Sequence, residues 1–169
     1  MIQIYTGNGK GKTTAALGIA MRAVGHGKKV IMIQFMKGKI NYGELKSAKL
    51  LKNFKIEQYG RPDFVDKDNP AKIDIELAKK GFERAKELIK SKKYDIIILD
   101  ELNVAVDYGL ISVKEVVELL KKTPKKIEII ITGRYMPEEL QGYADLISEI
   151  IEVKHYFQQG VKARKGIEY

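Results

Sequence analysis

Directly after a short apolar segment, the chain reads Thr6-Gly7-Asn8-Gly9-Lys10-Gly11-Lys12-Thr13-Thr14. The consensus phosphate-binding loop is G-x-x-x-x-G-K-[ST]; this stretch matches at Gly11-Lys12-Thr13 and departs at its first position, Thr6. Its three glycines allow the backbone to curl closely around phosphate, with N–H groups in a concave nest at a helix N-terminus. A glycine-rich turn with incidental lysines is the alternative, but an apolar strand before and a helix after favour a site for a nucleoside triphosphate.

Within this loop the side chains suit different tasks. Lys12 is expected to neutralise phosphate charge, and Thr13 is expected to coordinate Mg²⁺. The backbone from Gly7 to Thr14, including Asn8, is expected to hold the phosphates. Lys10 occupies a free position of the consensus, so a phosphate contact and a solvated lysine both remain open.

Outward from the loop, strands and helices alternate. Strands are predicted over 3–5, 29–35, 54–59, 94–99 and 127–131, and a last apolar segment covers 146–153. Helices are predicted over 13–24, ended by Gly25 or Gly27, and from an Asn69-Pro70 start with an apolar stripe that includes Ala78 and Phe82. Further helices are predicted after a Ser112–Glu115 capping box and, as a short one, after Pro137.

The apolar runs at 96–99 and 127–131 do not alternate with polar residues, which indicates strands buried on both faces. Together with the alternating order, they predict one α/β domain over 1–169, with a doubly wound, mostly parallel sheet of the phosphate-loop NTPase (RecA-like) type. Ligands of such sheets lie at the carboxyl ends of the strands.

Polar side chains follow three of the later apolar segments. Asp100 and Glu101 end the run at 96–99, where a magnesium-binding acid is expected; strand spacing leaves open which of them is the inner ligand. Arg134 follows the next strand and suits a bidentate grip on phosphate, with a structural ion pair as the alternative. Lys154 and His155 follow the last apolar segment and are further ligand candidates.

Composition limits the classes of protein. The chain has 169 residues, no cysteine and two histidines, which excludes disulfides, thiol catalysis and cysteine- or histidine-rich metal sites. No apolar run approaches the roughly 20 residues that span a bilayer, and 1–5 leave no room for a signal peptide, so a cytoplasmic protein without a membrane partner is expected.

The formal net charge of +9 is unevenly distributed. Residues 1–60 carry 11 Lys or Arg against Glu44 and Glu57 only, while the rest of the chain is balanced. Such an excess is expected if the loop segment faces a polyanion. Lys46 and Lys55, with Lys49 and Lys52 between them, are more simply a solvated surface.

In combination, these pieces resemble the ATP:corrinoid adenosyltransferases. The resemblance extends in order along nearly the whole chain, and is carried by short motifs rather than by the loop alone. They are 6–16 with Gly18, 22–27, Gln34-Phe35, Lys37-Gly38, Gly43-Glu44, Leu99-Asp100-Glu101, Thr132-Gly133-Arg134, Ala144-Asp145 with Glu149, Lys154-His155, Gly160-Val161-Lys162-Ala163 and Gly166-Ile167-Glu168-Tyr169.

The resemblance implies that the Co(I) centre of a reduced corrinoid attacks the 5′ carbon of ATP and expels inorganic triphosphate. Because cobalt is the nucleophile, no protein base is needed, and Lys12 and Arg134 are expected to stabilise the leaving group. Magnesium is assigned to Thr13 with Asp100 or Glu101, and Lys154 joins the loop as an ATP contact. A flavodoxin or flavin is the implied electron donor, and a homodimer the implied assembly.

Near the corrinoid pocket the chain departs from the members of the family that it resembles. They carry a phenylalanine and tryptophan pair near the corrinoid, whereas this chain reads Gly60-Arg61-Pro62-Asp63-Phe64-Val65 and has no tryptophan. Phe64 and His155 are the candidates for this pocket. The competing interpretations are a phosphate-loop ATPase or nucleoside kinase, and a nucleic-acid-binding module, for which the basic segment lacks an interleaved stacking array of aromatics.

Overall fold

A six-stranded sheet forms the centre of the computed structural model, which describes residues 1–38 and 42–169. The strand order is β3-β2-β4-β5-β1-β6, and every pair of neighbours runs parallel. The strands are β1 Ile2–Thr6, β2 Val30–Phe35, β3 Phe54–Tyr59, β4 Ile96–Asp100, β5 Glu128–Thr132 and β6 Leu146–Glu149. The predicted parallel sheet is therefore confirmed.

Helices cover both faces of the sheet. They are α1 Lys12–Gly25, α2 Gly43–Leu50, α3 Lys72–Ser91, α4 Leu102–Asp107 and α5 Val113–Lys122, with 3-10 turns at Glu138–Tyr143 and Tyr156–Gln159. The side chains of β4 alternate between two apolar clusters: Ile98 packs with α1 and α2 residues such as Ala16 and Ala48, whereas Leu99 packs with Phe82 of α3. This is the doubly wound arrangement that the apolar runs predict.

One predicted helix start and one predicted helix cap need correction. The helix predicted from Asn69-Pro70 begins instead at Lys72, after the N-cap residue Ala71, whose backbone N–H donates to the carboxylate of Asp74 (3.2 Å). Ser112 does precede α5, but its side chain makes no capping hydrogen bond, so a working capping box was a wrong prediction.

Two short helices escaped prediction. Residues of α2 are mostly lysine and small side chains without a long apolar stripe, and α4 is only six residues long. The strands were placed to within two residues at each end, except that the last apolar segment is a strand only over Leu146–Glu149. The four lysines between 46 and 55 are exposed, as expected.

Among the described residues, no helix combines the length and the apolar character needed to cross a bilayer. The parallel order brings the carboxyl ends of β1, β2, β4 and β5 to one edge of the sheet. The polar residues that follow these four strands therefore meet there.

Candidate functional site

The loop between β1 and α1 has a backbone shape that requires glycine. Gly7 and Gly11 have φ angles of 94° and 131°, which L side chains rarely adopt. A Cβ on Gly9 would lie 2.7 Å from the carbonyl oxygen of Ile151, and the Gly9 N–H donates to the oxygen of Ile150 (2.7 Å). The segment after β6 therefore packs directly against the backbone of the loop.

Lys12 lies inside this curve. Its side chain is 8% exposed, and its Nζ donates to the carbonyl oxygen of Gly9 (2.7 Å). Burial lowers the pKa of Lys12, an effect that Glu101 opposes and Arg134 reinforces. A buried ammonium with one backbone acceptor has donors to spare for an anionic ligand.

Asp100, at the end of β4, is the centre of a buried polar network. Its Oδ1 accepts from the hydroxyls of Thr13 (2.8 Å) and Thr132 (2.7 Å), and its Oδ2 accepts from Nζ of Lys37 (2.8 Å). Gln34 donates weakly to the same Oδ2 (3.4 Å). The acceptor belongs to β4, and its partners come from α1, β5, β2 and the connection after β2, so the network joins four elements of the fold.

The two charges beside Asp100 are both perturbed. Burial acts to lower the pKa of Lys37, but Asp100 and Glu101 outweigh it and leave that pKa raised, so the ammonium is retained. Burial, and then the charge of Asp100, raise the pKa of Glu101. Glu101 adopts a left-handed backbone (φ 61°), and its N–H donates to the Thr132 hydroxyl (3.0 Å).

A cavity of about 940 Å³ opens in front of the loop. It brings together the predicted candidates Gly9 through Thr14, Glu101, Arg134 and His155. Of the remaining candidates, Asp100 is fully buried behind Lys37, while Asn8 and Lys154 are exposed and, like Gly7, do not line the cavity. Phe64 is fully solvent-exposed and lies outside its lining.

Sequence reasoning missed three parts of the lining. One is an apolar surface formed by Leu17 and Met21 of α1 with Leu50, Leu51 and Phe54, which lie from the end of α2 to the start of β3. Lys37, Tyr42 and Glu44 come from the connection after β2 and the start of α2, and 166–169 come from the last residues of the chain. The family resemblance already included the motifs to which these residues, except Tyr42, belong, namely Lys37-Gly38, Gly43-Glu44 and Gly166-Ile167-Glu168-Tyr169. Their spacing along the chain, however, did not indicate that they lie at the same site as the loop.

The donor set fits Mg²⁺ at one place. Oγ1 of Thr13 and Oδ1 of Asp100 lie 2.8 Å apart at the loop, and hydroxyl and carboxylate oxygens are the ligands that this hard cation takes. Among residues 1–38 and 42–169, no group of three or more His, Cys, Asp or Glu is arranged so that it could hold a metal ion by itself. An ion held there would take its other ligands from phosphate or water, as Mg²⁺ usually does.

Comparison with known proteins gives the family. All residues, 1–169, match the family model described as ATP:corrinoid adenosyltransferase BtuR/CobO/CobP. A corrinoid adenosyltransferase of Escherichia coli (strain K12) is 41% identical over 170 residues, which cover 100% of this chain and 85% of that protein. Corrinoid adenosyltransferase CobA of Salmonella typhimurium is 39% identical, with the same coverage.

Among solved structures, the flagellar accessory protein FlaH from Methanocaldococcus jannaschii superimposes with a TM-score of 0.60. The superposition covers 88% of this chain and 69% of that one, at 15% sequence identity. At that identity the likeness shows a shared fold and nothing about activity.

Proposed function

Because the chain belongs to the ATP:corrinoid adenosyltransferase family, we propose that it transfers the 5′-deoxyadenosyl group of ATP to the Co(I) centre of a reduced corrinoid and releases inorganic triphosphate. The observation that carries this proposal is the cationic phosphate loop opening onto the cavity of about 940 Å³, in a chain that matches the family along its full length.

The transfer step needs no general acid or base from the protein, as the movement of its electrons shows. The cobalt electron pair forms a bond to the 5′ carbon while the bond from that carbon to the triphosphate oxygen breaks, and the electrons of the broken bond remain on the leaving triphosphate. No proton moves in this step. The protein must therefore position ATP and stabilise the growing negative charge.

The loop residues supply that stabilisation in our proposal. Of the predicted contacts from Gly7 through Thr14, Lys10 through Thr14 line the cavity, and their N–H groups, with the ammonium of Lys12, hold the triphosphate. The Gly9 N–H is already bonded to Ile150, and Arg134, exposed at the cavity rim, adds a second positive charge. Thr13 and Asp100 are the proposed magnesium residues, because their oxygens lie 2.8 Å apart. Glu101 follows Asp100 directly and lines the same cavity as Thr13. Bound Mg²⁺ would neutralise part of the triphosphate charge.

Further components follow from the chemistry and the family. Co(I) must be generated by a reductant, for which we propose a flavodoxin or a flavin. We also propose a cytoplasmic location and a homodimer. His155 lines the cavity and is the stronger of the two corrinoid-pocket candidates, since Phe64 is exposed to solvent.

The products of one reaction test the proposed function. The protein is incubated with MgATP and a chemically reduced corrinoid, and the mixture is examined for triphosphate and for a light-sensitive adenosylated corrinoid. Both products in equal amounts are expected, together with no turnover when the corrinoid is left oxidised. Formation of ADP at a rate independent of the corrinoid would instead indicate hydrolysis and would refute the transfer.

A further inference from the structure

Residues 164–169, which we call the tail segment, lie directly against the phosphate loop. Lys10 Nζ contacts Glu168 Oε1 at 2.6 Å and donates to the carbonyl oxygen of Ile167 at 3.2 Å. The two ionic side chains are 34% and 20% exposed, so the pair is partly shielded from water. A lysine of the loop is thus engaged with the opposite end of the chain, 158 positions away.

Glu168 is held by the tail segment itself. The backbone N–H of Arg164 donates to Glu168 Oε2 (2.7 Å), and the Arg164 guanidinium contacts Oε1 (3.1 Å). The ring of Tyr156 lies under both cations, 5.4 Å from Lys10 Nζ and 4.6 Å from the Arg164 guanidinium carbon. Arg164 and then Lys10 lower the pKa of Glu168 to about 2, so the carboxylate stays charged.

The tail segment turns so that it faces the cavity. Gly166 has a φ of 79°, and its N–H donates to the main-chain oxygen of Tyr169 (2.7 Å). Gly166, Ile167, Glu168 and Tyr169 line the same cavity as the loop. Ile167 and Tyr169 add apolar and aromatic surface beyond the nest that binds phosphate, and aromatic rings are surfaces on which nucleobases stack.

From these contacts we propose that Glu168 is a positioning residue, which acts through Lys10 to hold the tail segment as a wall of the nucleotide cavity for the adenosine half of ATP. In this arrangement the ammonium of Lys10 anchors the wall, and the nest with Lys12 holds the phosphates. The proposal rests on the proposed function only in taking the cavity as the ATP site.

The charge of Glu168 makes the proposal easy to test. Removing a carboxylate near a polyanion site favours the polyanion by electrostatics alone. Loss of the wall formed by the tail segment would instead weaken the binding of ATP. For Glu168→Gln we expect the Kd for ATP, measured by titration calorimetry, to rise about fivefold, as for a partly shielded ion pair within a network. The Kd for inorganic triphosphate, which has no adenosine, should stay within about twofold.

A second variant changes the wall without changing charge. A Cβ on Gly166 meets nothing within 4 Å, so Gly166→Ala acts only through its backbone strain at φ 79°. Like Glu168→Gln, this variant should raise the Kd for ATP and leave the Kd for inorganic triphosphate nearly unchanged. Retained triphosphate binding also shows that both variants are folded.

The matched control is Glu152→Gln, which removes a carboxylate whose field reaches Lys12 but which contacts Gln158 rather than the tail segment. Its ATP affinity should be unchanged or tighter. Unchanged or tighter ATP binding by Glu168→Gln would overturn the proposal, and so would an equal loss of ATP and triphosphate. Because these are binding measurements, they stand apart from the adenosyl-transfer assay that tests the proposed function.

Discussion

The two lysines of the phosphate loop have different surroundings although only one residue separates them. Lys12 is buried in the curve of the loop with a single backbone acceptor, whereas Lys10 is paired with Glu168. In the consensus pattern of the phosphate loop, Lys12 occupies the required lysine position and Lys10 occupies a position at which any residue is allowed. Their contacts explain why: only Lys12 keeps its donors inside the phosphate nest.

Replacing Lys12 tests its proposed role in stabilising the leaving triphosphate. Lys12→Ala should reduce the adenosyl-transfer rate by about 100-fold or more, because preorganised charge at a leaving group is typically worth that much. Thermal unfolding should show a retained fold, and Lys46→Ala, an exposed lysine on α2, is the matched control with wild-type rate. Near-normal adenosylation by Lys12→Ala would contradict the assignment.

At the scale of elements, the glycines of the β1–α1 connection and of α1 differ in whether their surroundings leave room for a side chain. Gly9 lies against the backbone of Ile150 and Ile151, while Gly18 faces open space within α1. The same substitution should therefore have opposite effects at two positions nine residues apart.

We expect Gly18→Ala to stabilise the protein by about 0.5–1 kcal/mol, since alanine is the better helix former. Gly9→Ala should destabilise it by about 1–3 kcal/mol, because the Cβ would push the 150–151 backbone away and break the bond from Gly9 N–H to Ile150. Urea denaturation gives both free energies of unfolding. Calorimetry should show lost ATP binding for Gly9→Ala only, and equal stability of the two variants would disprove this account of the loop.

For the molecule as a whole, acid stability depends on carboxylates that are paired in the folded state. Asp74 is buried and accepts two hydrogen bonds from the Arg61 guanidinium (2.7 and 2.8 Å), which lower its pKa below the ordinary value of 3.8. Arg84 likewise lowers the pKa of Glu57. A lowered folded-state pKa adds stability that is present above the ordinary value and lost as pH falls through the folded one.

The free energy of unfolding should therefore fall as pH drops below about 4, with Asp74 as one identifiable contributor. Asp74→Asn should cost about 2 kcal/mol at pH 7, the size of a charge-assisted hydrogen-bond pair, and much less at low pH, where wild-type Asp74 is itself protonated. Urea denaturation at both pH values measures the difference. The exposed Glu76→Gln on α3 is the control, and an Asp74→Asn deficit that does not depend on pH would contradict the linkage.

Local sequence patterns alone were sufficient to predict the parallel strands, the loop and the edge of the sheet at which the polar residues meet. The apolar runs identified the parallel strands, because a strand buried on both faces must be apolar throughout. The glycine-lysine-threonine pattern predicted a phosphate-binding loop, because the chemistry of such a loop resides in consecutive residues. Asp100 and Arg134 could be placed at the same edge because the carboxyl ends of parallel strands meet there.

Only the tertiary structure decided which distant groups touch. Lys37 reaches Asp100 from 63 positions away, and Glu168 reaches Lys10 from 158, and neither pairing has a local spacing that a pattern could reveal. The helix start at Lys72 likewise depends on Asp74, which Arg61 holds from across the connection after β3. Such contacts depend on how the elements pack, whereas a local pattern depends on neighbours along the chain.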